Sequence, residues 1–277
     1  MSRMMIQAAV TMNQLQKKLD IVGNNIANSQ TTGYKSRGAE FSSLLYQQID
    51  NLENPGNGEQ RLTPDGIRIG SGASLGATTL NLDQGSIVTT DRALDTALLN
   101  ENTLFQIQVT DNGVTETMYT RDGAFYISPS TDGRSVTLTT KDGNPVLGEN
   151  GPITFNSGFD SISIRDNGQV VVERGGIVEE VGTIDIVEAT RPNVLEAVGQ
   201  NLFRLPNLGE LNDNLADIIQ DVPAQTKLIQ SNALEQSNVD ISQQMSDLIL
   251  AQRSYQYNSR TISMSDQMMG LVNGLRS

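Results

Sequence analysis

The side chains in this chain of 277 residues that could do chemistry are carboxylates, glycines and methionines. Two carboxylates flanking a cleft can hydrolyse a glycosidic bond, and Glu173 falls near Glu179 and Glu180 at one expected hairpin. Their spacing marks no pair, so a solvated acidic face is the plainer reading. Gly66, Gly70, Gly72 and Gly76 invite comparison with a phosphate-cradling loop. That loop needs Lys-Ser/Thr after its last glycine and a striped helix behind it, and neither is present. The repeated Asp-Gly and Asn-Gly pairs lack the D-x-[DN]-x-[DN]-G spacing and terminal Glu of a calcium loop; hairpin turns account for them. Met1, Met4, Met5, Met12, Met245, Met264, Met268 and Met269 gather near the two ends, where their adaptable side chains suit the filling of a seam between helices.

Absent residue types exclude more. Without Cys there is no disulfide or thiolate chemistry. Without His the commonest general base and metal ligand is missing, and no zinc site of the usual kind can be built. No cofactor, metal or small-molecule substrate is expected. Net charge is −13, unevenly distributed: residues 1–40 carry +3, residues 231–277 carry −1 and the middle holds −15. An acidic middle repels phosphates and argues against nucleic acid. No stretch reaches the ~18 apolar residues of a bilayer span. Gln7, Thr11, Asn13 and Gln14 break up any apolar core of a signal peptide.

The elements that position these residues are dominated by the ends. Residues 238–275 read as one helix with no Pro, and no Gly before Gly270. Ile241, Leu248, Tyr255, Ile262 and Met269 recur every seven positions, with Gln244, Ala251, Asn258, Ser265 and Val272 beside them. That is a heptad seam, large on one edge and mostly small on the other. At 1.5 Å per residue the helix is roughly 55 Å long, too long for one ordinary globular core. The first helix, expected over residues 2–27, answers with Met5, Met12, Leu19 and Ile26, joined by Ala8, Leu15 and Val22. Neither stripe can be hidden alone, and isolated helices are marginal in water. Each seam should meet the other or its counterpart on another copy.

Between them, residues 39–50 read as a short extended or helical piece, 51–66 as a loop, and 67–90 as irregular extended structure. From 91 to 205 strands are expected at 104–109, 115–119, 124–128, 135–139, 161–164, 169–173, 177–181 and 183–187. The hairpin turns between them are Asn112-Gly113, Asp122-Gly123, Asp132-Gly133, Asp142-Gly143 and Asn167-Gly168. Residues 206–235 look polar. With only 4% aromatic residues and no Trp, several thin layers fit better than one dense core. The fold class is therefore mainly β with long terminal α-helices, the helices forming a coiled-coil-like hairpin and a small β domain with hairpin turns inserted between them. Residues 1–35 and 235–277 form the terminal helical assembly domain, 36–90 an extended connection and 91–234 a β-rich outer domain.

Residues 19–35, LDIVGNNIANSQTTGYK, resemble the N-terminal signature of the bacterial flagellar rod and hook proteins. Ser237-Asn-Val-Asp-Ile-Ser, Ala251-Gln-Arg-Ser-Tyr, Asn258-Ser-Arg and Ser265-Asp-Gln-Met are similar to that family's C-terminal helix. Tyr119-Thr-Arg-Asp-Gly-Ala-Phe125, residues 145–153 (PVLGENGPI) and Gly199-Gln-Asn-Leu-Phe203 agree in family order. FSSLLYQQID, a polar loop, then Gly66-Ile-Arg-Ile-Gly-Ser-Gly72 look most like the distal-rod members, with the proximal-rod members second. One departure is Asn100-Glu101-Asn102-Thr103, which stands in place of a usual Gly-containing turn.

The resemblance implies a structural subunit, not an enzyme. Copies would stack helically into a hollow drive shaft carrying torque from motor to hook. The partners would be further copies, other rod and hook proteins, and the flagellar export machinery, which passes its substrates without a cleaved signal peptide. The assembly interface would comprise Met5, Met12, Leu15, Leu19, Val22 and Ile26 with Ile241, Leu248, Ala251, Tyr255, Ile262 and Met269. Gly23, Asn24, Asn25, Asn28, Thr32, Gly33 and Tyr34 would set the turn leaving the first helix. A wall-associated carbohydrate-binding or hydrolytic protein is the alternative from another class; it requires a carboxylate pair in a cleft. A cytoplasmic coiled-coil adaptor would require end helices that are folded in the monomer.

Overall fold

The computed structural model describes residues 2–43, 46–49, 67–70, 73–111, 113–130, 133–199, 201–206, 215–223 and 229–275. The chain is mostly β, with one long helix near each end. The first helix spans Ser2–Ala27 and the last Ile241–Gly274. The first continues through Gly23, so the turn begins at Asn28. The last starts three residues later than the heptad pattern alone suggested, because Asn238 is engaged elsewhere (below).

Backbone contacts divide the chain into two units. The first comprises Met1–Ile26, Arg37–Thr79 and Ile241–Ser277; the second comprises Ala27–Ser36 and Leu80–Asp240. In the first unit the strand Arg37–Ser43 pairs with Ala73–Leu80, and Tyr46–Ile49 pairs antiparallel with Ile67–Gly70. The expected loop over 51–66 lies outside the described residues.

The second unit is built on a six-stranded antiparallel sheet. Its order is Glu196–Gly199, Leu202–Arg204, Val114–Thr120, Thr103–Asp111, Ile186–Ala189 and Ile219–Asp221. Alternation along its central strands sends side chains to two cores. Phe105, Ile107, Met118 and Ile186 enter a large cluster with Phe125, Leu138, Val146, Ile164, Val170 and Ile229. Their sequence neighbours Leu104, Tyr119 and Val187 enter a second cluster with Leu82, Leu195, Phe203, Ile218 and Ile219. The sheet is thus apolar on both faces at its centre, which is how a chain poor in aromatics still buries enough surface. Phe105 and Phe125 meet edge to face at 5.1 Å between centroids.

Two three-stranded sheets flank this one. They join Thr154–Asn156, Ser135–Thr139 and Tyr126–Pro129, and Ser161–Ile164, Gln169–Arg174 and Ile177–Thr183. Gly113, Gly133, Gly143 and Gly168 all take positive φ at their turns; Asn112 and Asp132 lie outside the described residues. Asp122-Gly123 is not the expected hairpin: the strands on either side, Val114–Thr120 and Tyr126–Pro129, belong to different sheets. Asn102 supplies what a glycine turn would, with φ 58°. Asn tolerates that left-handed conformation better than most residues, and its carbonyl accepts the Ala189 N–H at 2.7 Å.

The polar appearance of residues 206–235 misleads. Ile229 and Ala233 are fully buried, and their strands Ile229–Ser231 and Ala233–Glu235 pair with Thr96–Leu98 and Ile87–Thr89. Strands of three residues are too short to show a period. Phe105→Ala should cost about 3–5 kcal/mol, read as a lower urea midpoint for loss of β structure.

Candidate assembly site

Residues 28–36 leave the first helix and enter the second unit, where each step has a partner. Asn28 closes the turn by accepting from the Thr31 N–H at 3.1 Å. The Thr32 hydroxyl donates to Asp122 Oδ1 at 3.2 Å, and the Thr32 carbonyl accepts from Asn201 Nδ2 at 2.8 Å. Asn201 itself sits at φ 59°. Gly33 donates its N–H to the Glu235 carbonyl at 2.8 Å. It has φ +65°, and a Cβ there would stand 2.6 Å from the Asp122 nitrogen. Only glycine satisfies both conditions. Tyr34 is buried beside it.

Lys35 ends this strap in a buried ionic network. Its Nζ lies 2.7 Å from Glu235 Oε1 and donates to the carbonyls of Asp83 and Leu82 at 2.6 and 3.3 Å. Arg121 meets the other carboxylate oxygen through Nε and also donates to Thr103 and to the Leu98 carbonyl. The Gly85 N–H reaches Glu235 Oε1 at 2.7 Å. The side chains of all three ions are at most 1% exposed. Burial pushes the Lys35 ammonium below its ordinary value, with the Arg121 charge adding to it. Burial also lowers Arg121. For Glu235 burial acts upward, but Arg121 and Lys35 outweigh it and hold the carboxyl below the usual carboxylate range. Asp122 goes the other way, raised by burial. These groups are engaged within the chain, so the network's chemistry is to hold segments together.

Asn25 performs the same kind of task in the first unit. Its amide accepts from the Arg37 N–H at 3.1 Å and donates to the Arg37 carbonyl at 2.9 Å and to Gln244 at 3.0 Å. Lys18 and Asp247 approach within 3.9 Å. Along the first helix Ala8, Val22 and Asn25 are buried, with Met5, Met12, Leu15, Leu19 and Ile26 half-buried. Along the last, Ala251 and Ser265 are buried; Leu248, Tyr255 and Ile262 are half-buried, whereas Ile241 and Met269 are exposed. Gly23 and Asn24 lie within the first helix.

A second stripe went unread in the sequence although its spacing was there. Leu250, Tyr257, Met264 and Leu271 also recur every seven residues, and they are 59, 66, 55 and 71% exposed. They turn away from the buried positions of the same helix. Nothing in the sequence marks Lys35 and Arg121 as a pair: each motif also holds an aspartate, Asp20 and Asp122. The carboxylates weighed for hydrolysis are exposed and bonded locally: Glu173 accepts from Ser161, and Glu179 from Arg174. Among the described residues no helix is long and apolar enough to cross a membrane.

Three family models match in chain order: flagella basal body rod protein over residues 7–35, flagellar hook protein FlgE/F/G D1 domain over 99–172, and flagellar basal body rod FlgEFG protein C-terminal over 230–275. The Bacillus subtilis flagellar hook-basal body complex protein FlhP is 40% identical over 280 residues, covering all of both chains. The flagellar basal-body rod protein FlgG of Agrobacterium fabrum is 34% identical, with 96% of each chain covered. FlgG of Bacillus subtilis is 33% identical, with 93% of each covered. The chain belongs to the flagellar basal-body rod and hook protein family. That family is structural rather than enzymatic.

In this rod-family chain the three ionic partners are shared out one to each matched segment: Lys35, Arg121 and Glu235. Gly33→Ala should cost more than about 2 kcal/mol, since strain at a left-handed position adds to a backbone clash; urea unfolding of the second unit reads it. Glu235, with its folded pKa depressed, contributes stability that is complete above the unfolded value of about 4.3 and is lost as pH falls through the folded one. The urea midpoint should therefore drop below about pH 4, and less steeply in Glu235→Gln.

Proposed function

We propose that this chain is a structural subunit of the flagellar rod, nearest in role to the distal-rod members, and that it polymerises helically with further copies into the hollow shaft joining motor to hook. The proximal rod is the second position. The observation carrying this reading is the exposed heptad stripe Leu250, Tyr257, Met264 and Leu271 on a helix whose other seam is already half-buried. Four large apolar side chains left exposed along one line, with Arg253 and Arg260 between them, suit an interaction surface. Similarity along nearly the whole chain to a hook-basal body complex protein and a basal-body rod protein, 40% and 34% identical, supplies the setting.

In this reading the terminal helices pair as a coiled-coil-like hairpin, with a β domain inserted between them in sequence. Asn25 with Gln244 and Lys18 with Asp247 support the pairing. The interface residues are Met5, Met12, Leu15, Leu19, Val22 and Ile26 with Leu248, Ala251, Tyr255 and Ile262; Ile241, Met269 and the outer stripe face neighbouring copies. Burying each Leu-sized side chain between copies contributes roughly 1.5–3 kcal/mol, so a few such positions repeated around a tube hold it stiffly. The subunit lies outside the cytoplasmic membrane, in the basal body, having passed the flagellar export machinery without a cleaved signal peptide. Other rod and hook proteins flank it.

Mass spectrometry of purified hook–basal bodies, with a deletion strain alongside, tests the role: the protein is expected in the particles, and the deletion strain is expected to lack hooks and filaments. Swimming deletion cells would overturn it. Leu250→Asp combined with Leu271→Asp, and separately Leu19→Asp or Leu248→Asp, should abolish incorporation while the β unit keeps its wild-type urea midpoint. Normal incorporation of the outer-stripe variant would remove that surface from the assembly.

A further inference from the structure

We infer that Lys35, Glu235 and Arg121 form a chain-closure latch: the second unit folds cooperatively only when the strap at residues 27–36 and the segment at residues 229–235 have both docked, and the buried carboxylate of Glu235 is what makes that docking obligatory. The idea is independent of the assembly role.

The two segments stand 200 positions apart at Lys35 and Glu235, yet each is needed to complete the other's surroundings. Residues 229–235 supply Ile229 to the larger core and strands to both Ile87–Thr89 and Thr96–Leu98. Arg121 reaches the Leu98 carbonyl, at the end of the strand that receives Ile229–Ser231, as well as Glu235. Gly33 donates to the Glu235 carbonyl while its Cα rests on the Arg121–Asp122 backbone. Just beyond, the Ser36 N–H donates to Asn238 Oδ1 at 2.8 Å, and Asn238 Nδ2 donates to the carbonyls of Asn81 and Asp83, both at 3.0 Å.

Charge turns this geometry into an all-or-none condition. If Glu235 is absent, Lys35 and Arg121 are two buried cations without a bonded carboxylate, left only the charges of Asp83 and Glu101, a state costlier than leaving all three in water. If the strap is absent, Glu235 loses one cation and the Gly33 donor. An incompletely docked unit therefore gains little from its remaining contacts, and the strands of the large core share the fate of the latch instead of fraying segment by segment.

Hydrogen exchange of the full-length chain, read by mass spectrometry, tests this. The reporters are the strands Thr103–Asp111 and Gln169–Arg174, the second of which contributes no latch residue. In Glu235→Gln both are expected to lose protection together, by on the order of 10²–10³-fold. Ser231→Ala is the control. It removes the hydroxyl that donates to the Ile164 carbonyl and to Asp166 in the same segment without touching a charge, and it is expected to speed the reporters less than about 30-fold. Acceleration confined to residues 27–36 and 229–240, with both strands as protected as in the wild type, would overturn the latch, as would equal effects of the two substitutions. If Glu235→Gln does not fold at all, Lys35→Met decides, since it leaves Arg121 paired with Glu235. A common acceleration of both strands upholds the latch, and a purely local one refutes it.

Discussion

One carboxylate between two cations, sealed from water, is the constraint on which the second unit depends. Glu235 is held by Lys35 from the N-terminal strap and by Arg121 from the β domain, with the Gly85 N–H as a third donor. A buried ion pair is not in itself a strong source of net stability, because desolvation offsets the attraction. What it supplies is direction: in this arrangement both Lys35 and Arg121 reach the same carboxylate. The glycine at position 33 and the left-handed asparagines at 102, 201 and 232 allow backbones to come close enough for this, each at a turn that a β-branched residue could not make.

The large core and the network divide the work. Phe105, Phe125, Leu138 and Ile186 exclude water without choosing between similar packings. The directional bonds of Thr32, Asn201, Lys35 and Arg121 choose. A polar joint with fixed bond directions distinguishes between geometries that additional buried methylenes would treat alike. The first unit uses a neutral version of the same device in Asn25, which satisfies the Arg37 backbone and Gln244 at once.

The helices carry a different physics. Their stripes arise by repetition, and repetition is what suits a polymer: a seven-residue period presents the same surface every two turns of the helix. The last helix carries two such stripes. One is partly covered, with Ala251 and Ser265 buried, and the other, through Leu250 and Leu271, is open to solvent. The proposed assembly role rests on the second, which has no cover within its own helix.

Much of this could be read without coordinates. The helix at residues 2–27, the strands at 135–139 and 161–164, and the positive-φ glycines at the hairpin turns follow from local rules, in which a residue's neighbours decide its conformation. The family was legible because its motifs are long and contiguous. The tertiary structure alone decided what those motifs are for. Thr-Arg-Asp-Gly reads as a hairpin and is a seat for Gly33; residues 229–235 read as part of a polar stretch and are strands with buried Ile229 and Ala233. A lysine, an arginine and a glutamate spread over 200 positions carry no mark of one another in one dimension. Only the closing of the chain removes water from between them, and without that removal their charges would scarcely interact.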